Sequence, residues 1–175
     1  MCSLHLRPQR PEDLPLLTGE RAPFNDFGPR PLRTSLTTPE LDGAGALVIV
    51  VGGGDHDDEV VGSVSWHWNQ WGPTAGSRCP MIGIWLCAEH RGRGLGRAAQ
   101  LELTRLFFIH TTTNRVEAHT DVDNIAEQRA LEAAGFTREG RIRGAQWRAG
   151  AYRDGYLYSI LRTDLELQPV AATSS

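Results

Sequence analysis

A run rich in glycine and arginine is the part of this sequence best suited to chemistry. It extends from Arg91 to Arg97, reads Arg-Gly-Arg-Gly-Leu-Gly-Arg, and lies between a strand-like run and a helical pattern. Glycine lets the backbone turn tightly and approach a ligand, and a helix start offers free N–H groups and a positive dipole end to an anion. The run therefore predicts a diphosphate site; the alternative is a glycine-rich turn without a ligand.

Two other nucleotide-binding motifs do not fit this run. A dinucleotide fingerprint requires Gly-x-Gly-x-x-Gly, and counting from Gly92 places Arg97 where the last glycine is required. A phosphate-binding P-loop requires lysine, and the sequence contains none.

Composition bounds the class of protein. The chain has 175 residues, of which 40% are hydrophobic and 22% charged, as is typical of a globular protein. We expect one domain over residues 1–168 and a disordered tail over residues 169–175. The net charge of −3 argues against a nucleic-acid partner, and no apolar run has the length of a membrane span. Three cysteines without paired spacing favour a reducing cytoplasm and no metal site.

The elements that must position the run alternate between strands and helices, which predicts a mixed α/β sheet covered by helices. Strands are expected over residues 3–7, 46–51, 60–68, 78–87, 115–120, 136–142 and 152–161, and helices over residues 11–17, 39–41, 95–110 and 124–134. Asn124 and Glu127 match a capping box at the start of the last helix. Gly135 suits a left-handed residue at its end.

The pattern Arg-x-x-Gly-x-Gly after a strand, from Arg91 to Gly96, resembles the acetyl-CoA loop of the GNAT N-acetyltransferases. A second motif agrees: from Asp123 to Gly140 an asparagine-started helix ends in Gly-Phe and is followed by Glu-Gly. The last strand, from Tyr152 to Ser159, resembles the RimJ/RimL-like subgroup, which acetylates ribosomal-protein N-termini. The resemblance covers roughly residues 3–165 and does not identify the acceptor.

The resemblance implies a GNAT fold, with a mixed sheet of about six to seven strands, splayed between the fourth and fifth and flanked by about four helices. It also implies that acetyl-CoA binds in the splay, with its pantetheine along the fourth strand and its diphosphate on the glycine loop. The cofactor-binding residues implied are Trp85, Leu86, Cys87, Arg91, Gly92, Arg93, Gly94, Leu95, Gly96, Arg97 and Asn124. For Asn124 the alternative is a plain helix cap.

Acetylation of an amine needs a base for the ammonium proton and a donor for the oxyanion. His119 is the candidate base, because it shares the polar face of its strand with Glu117 and Asp121; the alternative is a histidine satisfied on a sheet face. A backbone N–H near Leu86 or Cys87 would meet the oxyanion. A covalent acyl intermediate on Cys87 is a further alternative, although direct transfer is the family norm.

The chain departs from the family where catalytic side chains are often found. Leu131 replaces a tyrosine, Glu127 a serine and Met81 a glutamate, so the acid and base do not carry over. Trp71 and the aromatic segment at residues 24–27 are candidates for the wall of an acceptor pocket, with core packing as the alternative.

Two interpretations of function follow. The favoured one is a cytoplasmic, acetyl-CoA-dependent N-acetyltransferase that acts directly on a primary amine, either a protein N-terminus or a small molecule such as an antibiotic. The alternative is a non-catalytic acyl-CoA-binding sensor. We expect no metal, nucleic acid or membrane among the partners, and a homodimer is an option because relatives commonly form one. No motif indicates the acceptor or the acyl chain length.

Overall fold

A single sheet of seven strands forms the centre of the protein. The computed structural model describes residues 3–17, 24–28, 35–52 and 58–166. The strands are β1 (Ser3–Arg7), β2 (Gly45–Gly52), β3 (Glu59–Gln70), β4 (Arg78–Leu86), β5 (Arg115–Asp121), β6 (Thr137–Arg148) and β7 (Ala151–Leu161). Their order across the sheet is β1-β2-β3-β4-β5-β7-β6, and only β4 and β5 pair in parallel within the described chain. This is the mixed α/β sheet that the sequence predicts. The expected tail at residues 169–175 lies outside the described residues.

The helices of the described residues are α1 (Leu14–Leu17), α2 (Leu95–His110) and α3 (Ile125–Ala133), with short 3-10 helices at Pro11–Asp13, Ala75–Ser77, Ala88–His90 and Arg162–Leu165. The helix predicted at residues 39–41 is wrong. There the Gly43 N–H donates to the Glu40 carbonyl oxygen at 3.3 Å, and the chain makes one turn before it enters β2. In this stretch the turn is not followed by a further helical hydrogen bond between described residues, so no helix begins.

Helices α2 and α3 cover one face of the sheet. The predicted stripe of Ala99, Leu103 and Phe107 on α2 is fully buried. Phe107 lies edge-on to Trp66 and Trp68, with ring centroids 5.4 and 6.0 Å apart. The sheet residues in the same core include Val64, Ile82, Val116, Ala118, Tyr158 and Ile160. Since side chains alternate along a strand, Glu117, His119 and Asp121 lie on the opposite face of the sheet. We call that the open face.

The hairpin of β6 and β7 extends further than the sequence predicts. Strand β6 continues to Arg148, six residues beyond the expected end at position 142, and nearly all of it is exposed. Ala149 and Gly150 turn the chain with φ angles of 48° and 74°, which fits a two-residue hairpin turn. Backbone pairing with β7, and not burial, holds the extra residues in the strand. Their sequence therefore does not alternate between apolar and polar side chains.

Candidate active site

Strands β4 and β5 pair at one point and then separate. Met81 pairs with Glu117 and Ile82 with Ala118, and within the described chain no pairing between these strands continues toward their carboxyl ends. A gap therefore opens between residues 83–86 of β4 and 119–121 of β5. This confirms the predicted splay between the fourth and fifth strands.

The glycine loop ends at the start of α2 and lies just after β4. Gly92 and Gly94 have φ angles of +72° and +79°, in the left-handed region that favours glycine. The Ala98 N–H donates to the Gly94 carbonyl oxygen at 3.1 Å, which is the first bond of the helix. The N–H groups of residues 95–97 therefore have no partner inside the helix, and Gly94 has no side chain to cap them. The arrangement suits an anion.

The last residue of β4 offers a backbone donor to the gap. The Cys87 N–H donates to the Val61 carbonyl oxygen at 2.9 Å, so it is used by the sheet. Cys87 is therefore wrong as a source of the oxyanion donor. Because backbone groups alternate between the two sides of a strand, the Leu86 N–H points toward the gap. The Leu86 carbonyl oxygen accepts hydrogen bonds from Arg91 Nε and Nη2 at 3.0 and 2.8 Å, so Arg91 holds the loop against β4.

The Cys87 thiol is unsuited to covalent catalysis. The residue is 5% exposed, and burial raises the pKa of its thiol, with the charge of Glu89 as a second cause. The nucleophilic form of cysteine is the thiolate, which this site disfavours. The surroundings of Cys87 therefore do not support the covalent alternative.

Asn124 caps α3, as predicted, and half of the predicted capping box forms. The Glu127 N–H donates to Asn124 Oδ1 at 3.3 Å. The Glu127 carboxyl group instead contacts the Gln100 side chain on α2, and burial raises the pKa of this carboxyl to about 7. Gln100 Nε2 also donates to the Gly96 carbonyl oxygen at 3.1 Å, which links Glu127 to the first turn of α2. Sequence reasoning gave Glu127 only a capping role.

Two polar side chains border the gap on the open face, those of Trp85 and His119. Trp85 Nε1 and both ring nitrogens of His119 are buried, and none of these three atoms has a hydrogen-bond partner among the described residues. Burial lowers the pKa of His119, and the nearby Asp121 opposes the shift. A Cβ on Gly155 would overlap the His119 ring and lie 2.9 Å from the Thr120 carbonyl oxygen, so Gly155 provides the space that the ring occupies. Since neither nitrogen is bonded to a described residue, the alternative of a histidine satisfied on the sheet face finds no support in the hydrogen bonds of this structure.

A buried carboxylate that sequence reasoning did not assign lies further along the open face. Glu117 is fully buried and accepts hydrogen bonds from Asn69 Nδ2 at 3.0 Å, Trp71 Nε1 at 2.8 Å and Arg115 Nε at 2.7 Å. Its charge also contributes to raising the pKa of Cys79 to about 12, for which burial is the main cause. In the sequence, the only signal for this carboxylate was a glutamate on the polar face of a predicted strand. Two of its three partners, Asn69 and Trp71, are 48 and 46 residues away, so the sequence did not place them beside it.

The mouth of the gap is closed on one side by the β6–β7 hairpin. Arg148 forms a buried ion pair with Asp121 at the end of β5, and its guanidinium lies 5.1 Å from the centre of the Phe24 ring. The Ala149 N–H donates to the Asp26 carbonyl oxygen at 2.9 Å. The segment at residues 24–28 is therefore tied to the hairpin beside the gap. Within that segment Phe24 and Phe27 are 37% and 38% exposed, so they are not core residues.

The described residues contain no group of three or more His, Cys, Asp and Glu side chains placed to hold a metal ion. None of the helices among residues 3–17, 24–28, 35–52 and 58–166 is long and apolar enough to span a membrane.

The family follows from comparison with known proteins. A family model described as the acetyltransferase (GNAT) domain matches residues 3–137, which is more than half of the chain. The chain therefore belongs to the GNAT acetyltransferase family, and the resemblance found in the sequence is confirmed.

Relatives of the predicted RimJ/RimL-like subgroup are among the matches. YdaF of Bacillus subtilis, described as a candidate ribosomal N-acetyltransferase, is 32% identical over 85 residues, which is 49% of this chain and 46% of YdaF. The structure of Mycobacterium smegmatis RimJ with CoA-disulfide is 26% identical, with a TM-score of 0.58 over 71% of this chain and 56% of RimJ. The Vibrio cholerae spermidine N-acetyltransferase structure with CoA and spermine, at 19% identity, shares the fold with a TM-score of 0.70 over 92% and 96% of the two chains. The chain spans about half the length of the curated relatives it matches.

Proposed function

We propose that this protein is an acetyl-CoA-dependent N-acetyltransferase that acts on a primary amine. One observation carries the proposal: the gap between β4 and β5 opens beside a helix start whose first N–H groups are free. The loop at residues 92–97 would hold the diphosphate, and the Leu86 N–H would face the pantetheine or the thioester. Asn124 uses Oδ1 as a helix cap, which leaves its Nδ2 for the cofactor. The unbonded Trp85 Nε1 at the gap is consistent with a ligand there.

The chemistry divides between two groups of this chain. Bound acetyl-CoA supplies the thioester. His119, whose pKa is lowered by burial, is a neutral imidazole at pH 7 and accepts a proton from the ammonium form of the acceptor. The Leu86 N–H donates a hydrogen bond to the developing oxyanion. In direct transfer the amine nitrogen would bond to the acetyl carbon as the thioester C–S bond breaks, and the departing CoA thiolate would take up the proton that this nitrogen loses. The buried Cys87 thiol, with its raised pKa, would form no covalent intermediate.

The relatives are described as acting on different acceptors. YdaF is described as a ribosomal N-acetyltransferase candidate, and the Vibrio cholerae enzyme as a spermidine N-acetyltransferase. We therefore propose an amine on a protein N-terminus or on a small molecule. We place the reaction in the cytoplasm, where Cys79 and Cys87 remain free thiols, as both are here. A homodimer stays a prediction.

Calorimetric titration with acetyl-CoA, CoA, desulfo-CoA and ADP tests the cofactor site. We expect micromolar affinity for acetyl-CoA and CoA, tighter binding of desulfo-CoA than of ADP, and release of free thiol when an amine panel is added. Equal affinity for desulfo-CoA and ADP would refute the pantetheine gap. Tight binding of acetyl-CoA without thiol release from any amine would favour the sensor alternative.

A further inference from the structure

The indole N–H of Trp85 is a buried hydrogen-bond donor that this structure leaves unused. Trp85 Nε1 has no partner among the described residues. Buried polar groups of native proteins are nearly all bonded, because an unbonded one has lost its hydrogen bonds to water and gained none. We propose that Trp85 is a specificity-determining residue of the acetyl transfer, and that its Nε1–H donates to an oxygen atom of the bound acceptor. This inference rests on the proposed function, since it assigns a contact to the acceptor.

The Trp85 side chain lies on the same face of the sheet as His119. Along β4, Ile82 belongs to the core under the helices, and Leu86 Cδ1 lies 3.7 Å from the Cβ position that Gly96 lacks at the start of α2. Since side chains alternate along a strand, Trp85 points to the open face. Because a base must reach the amine, this is the face on which we expect the acceptor. The donor therefore faces the acceptor and not the diphosphate loop, which leads into α2 on the other face.

The register of β4 and β5 places Trp85 near His119 along the gap. Met81 pairs with Glu117, so Gly83 is level with His119, and Trp85 lies two residues further toward the carboxyl end of β4. Two residues of a parallel strand span about 6.6 Å. Trp85 and His119 therefore border the same stretch of the gap.

Gly83 leaves room between these two side chains. It is exposed, and apart from its chain neighbours a Cβ added to it would have one heavy atom within 4 Å, Ser65 Oγ at 3.3 Å on β3. No side chain of β4 therefore occupies the surface level with the His119 ring. A small ligand has space there, with one end at the imidazole and the other at the indole.

The chemistry of the indole decides what the ligand presents to it. Its Nε1–H donates and has no acceptor capacity, so its partner is an oxygen with a lone pair and not an ammonium group. Two hydrogen bonds of about 2.9 Å, one to His119 and one to Trp85, suit an amine and an oxygen on adjacent carbon atoms. We therefore expect a carbonyl or hydroxyl oxygen beside the reacting amine to be preferred over a plain alkyl group.

Matched amines and the Trp85→Phe variant test this contact. The variant keeps an aromatic ring and removes the N–H donor. Ethanolamine and glycinamide carry the oxygen, whereas propylamine is similar in size and lacks it. Trp85→Phe should lower kcat/KM for the two oxygenated amines about tenfold, mainly through KM, and change that for propylamine by less than about twofold. Because the amines differ in basicity, the quantity to compare is the change in their kcat/KM ratios between the wild type and the variant.

Trp147→Phe is the matched control. Trp147 is 54% exposed at the end of the β6–β7 hairpin, where its ring lies edge-on to Tyr152 with centroids 5.0 Å apart. This variant should keep the wild-type ratios. The acetyl-CoA affinity of Trp85→Phe, measured by calorimetry, should match that of the wild type, because the side chain faces away from the diphosphate loop. Circular dichroism checks the fold of both variants.

Direct binding separates this inference from the proposed function, and its first arm needs no variant. In calorimetric titration at pH 7, the CoA-saturated wild type should bind ethanolamine and glycinamide about tenfold more tightly than propylamine, and Trp85→Phe should bind all three with similar affinity. If this pattern occurs without acetylation of any amine, the proposed function fails and the Trp85 contact stands.

Three results would overturn the inference and leave the proposed function in place. They are equal affinity of the wild type for the three amines, kcat/KM ratios that Trp85→Phe leaves unchanged, and a loss of acetyl-CoA affinity in Trp85→Phe without a change in preference among the amines. The last result would assign the donor to the cofactor. The absence of any amine binding, with or without turnover, would also overturn the inference.

Discussion

At the scale of single residues, the feature that sets His119 apart is that its ring has no hydrogen-bond partner among the described residues. Both ring nitrogens are buried, and burial lowers the pKa of the imidazole. A buried polar group without a partner costs about 1–3 kcal/mol. The lowered pKa keeps the ring neutral at pH 7, which is the form that a general base requires.

Replacement of His119 tests its role as base. Because the pKa is lowered from 6.5, kcat/KM should fall as the pH drops through a value below 6.5, where the imidazole becomes protonated. His119→Gln should lower kcat/KM on the order of 100-fold and abolish this limb of the pH profile, with unchanged acetyl-CoA affinity. His110→Gln, at the exposed end of α2, is the control. An unaltered limb in His119→Gln would remove His119 from the mechanism.

Gly155 tests the same site from the neighbouring strand. A methyl group there would overlap the His119 ring, so Gly155→Ala should displace the imidazole and lower kcat/KM at least about tenfold. Gly140→Ala on β6 is the matched control, because nothing lies within 4 Å of its Cβ position. Steady-state kinetics of both variants measures the effect on kcat/KM. Equal kcat/KM in the two variants would show that activity does not depend on the position of the His119 ring.

At the scale of elements, the start of α2 packs against β4 and α3 beside the gap. A Cβ on Gly96 would lie 3.7 Å from Leu86 and 3.9 Å from Ala130, so β4, α2 and α3 are closely packed there. The glycine loop is held by this packing and by the bonds from Arg91 to the Leu86 carbonyl oxygen. Loop geometry therefore depends on three elements together.

A bulky residue in the loop should block the cofactor. Gly94 has φ +79° and nothing within 4 Å of its Cβ position, so Gly94→Leu costs backbone strain but meets no protein atom. Gly150→Leu is a matched control, with φ +74° and equally open space. Both should lose about 1–2 kcal/mol of stability, whereas only Gly94→Leu should weaken acetyl-CoA binding more than tenfold, as measured by calorimetry. The same affinity in both variants would disprove the loop assignment.

Glu127 makes the packing of α2 against α3 sensitive to pH. Its pKa is raised from 4.5 to about 7, so the folded protein keeps a proton that the unfolded chain loses between these values. The free energy of unfolding should therefore decrease as the pH rises from 4.5 to 7, by about 2 kcal/mol for this half-buried group. Glu127→Gln should lack this decrease and be more stable than the wild type at pH 8. Urea unfolding at pH 5 and pH 8 measures this decrease, and Glu102→Gln, which alters an exposed carboxyl on α2, is the control. The same pH dependence in the wild type and in Glu127→Gln would contradict the assignment.

At the scale of the whole molecule, the buried pair of Asp121 and Arg148 joins β5 to the hairpin and to the segment at residues 24–28. The two side chains are 4% and 7% exposed. Removing one partner of a buried ion pair leaves the other charge without compensation. The pair therefore couples the mouth of the gap to the stability of the sheet.

Substitution of Asp121 tests this coupling. Asp121→Asn should lower the free energy of unfolding by about 3 kcal/mol and increase proteolysis within residues 24–28. Asp58→Asn, which removes a long and exposed pair with His5, should leave both properties unchanged. Urea unfolding and limited proteolysis are the measurements. Intact resistance to protease in a destabilised Asp121→Asn variant would mean that the segment is held by other contacts.

Local signals were sufficient for most of the elements and for the glycine loop. The stripe on α2, the Asn124 cap and the left-handed Gly135, with φ +95°, depend on residues within one or two turns of each other. Such signals act through the backbone geometry of a single segment, so they can be read without the fold. They also define the glycine loop, because a glycine run before a helix is a local pattern.

Tertiary structure alone decided which side chains meet on the open face. Glu117 bonds with Asn69 and Trp71, which are 48 and 46 residues away, and Glu127 contacts Gln100 across two helices. Those partners follow from strand register and helix packing, and a shift of one residue would move each side chain to the other face. The length of β6 likewise follows from pairing with β7 and not from its own pattern. The sequence by itself therefore determined most of the elements and the glycine loop, whereas the register of the sheet decided the surroundings of His119 and of Glu117.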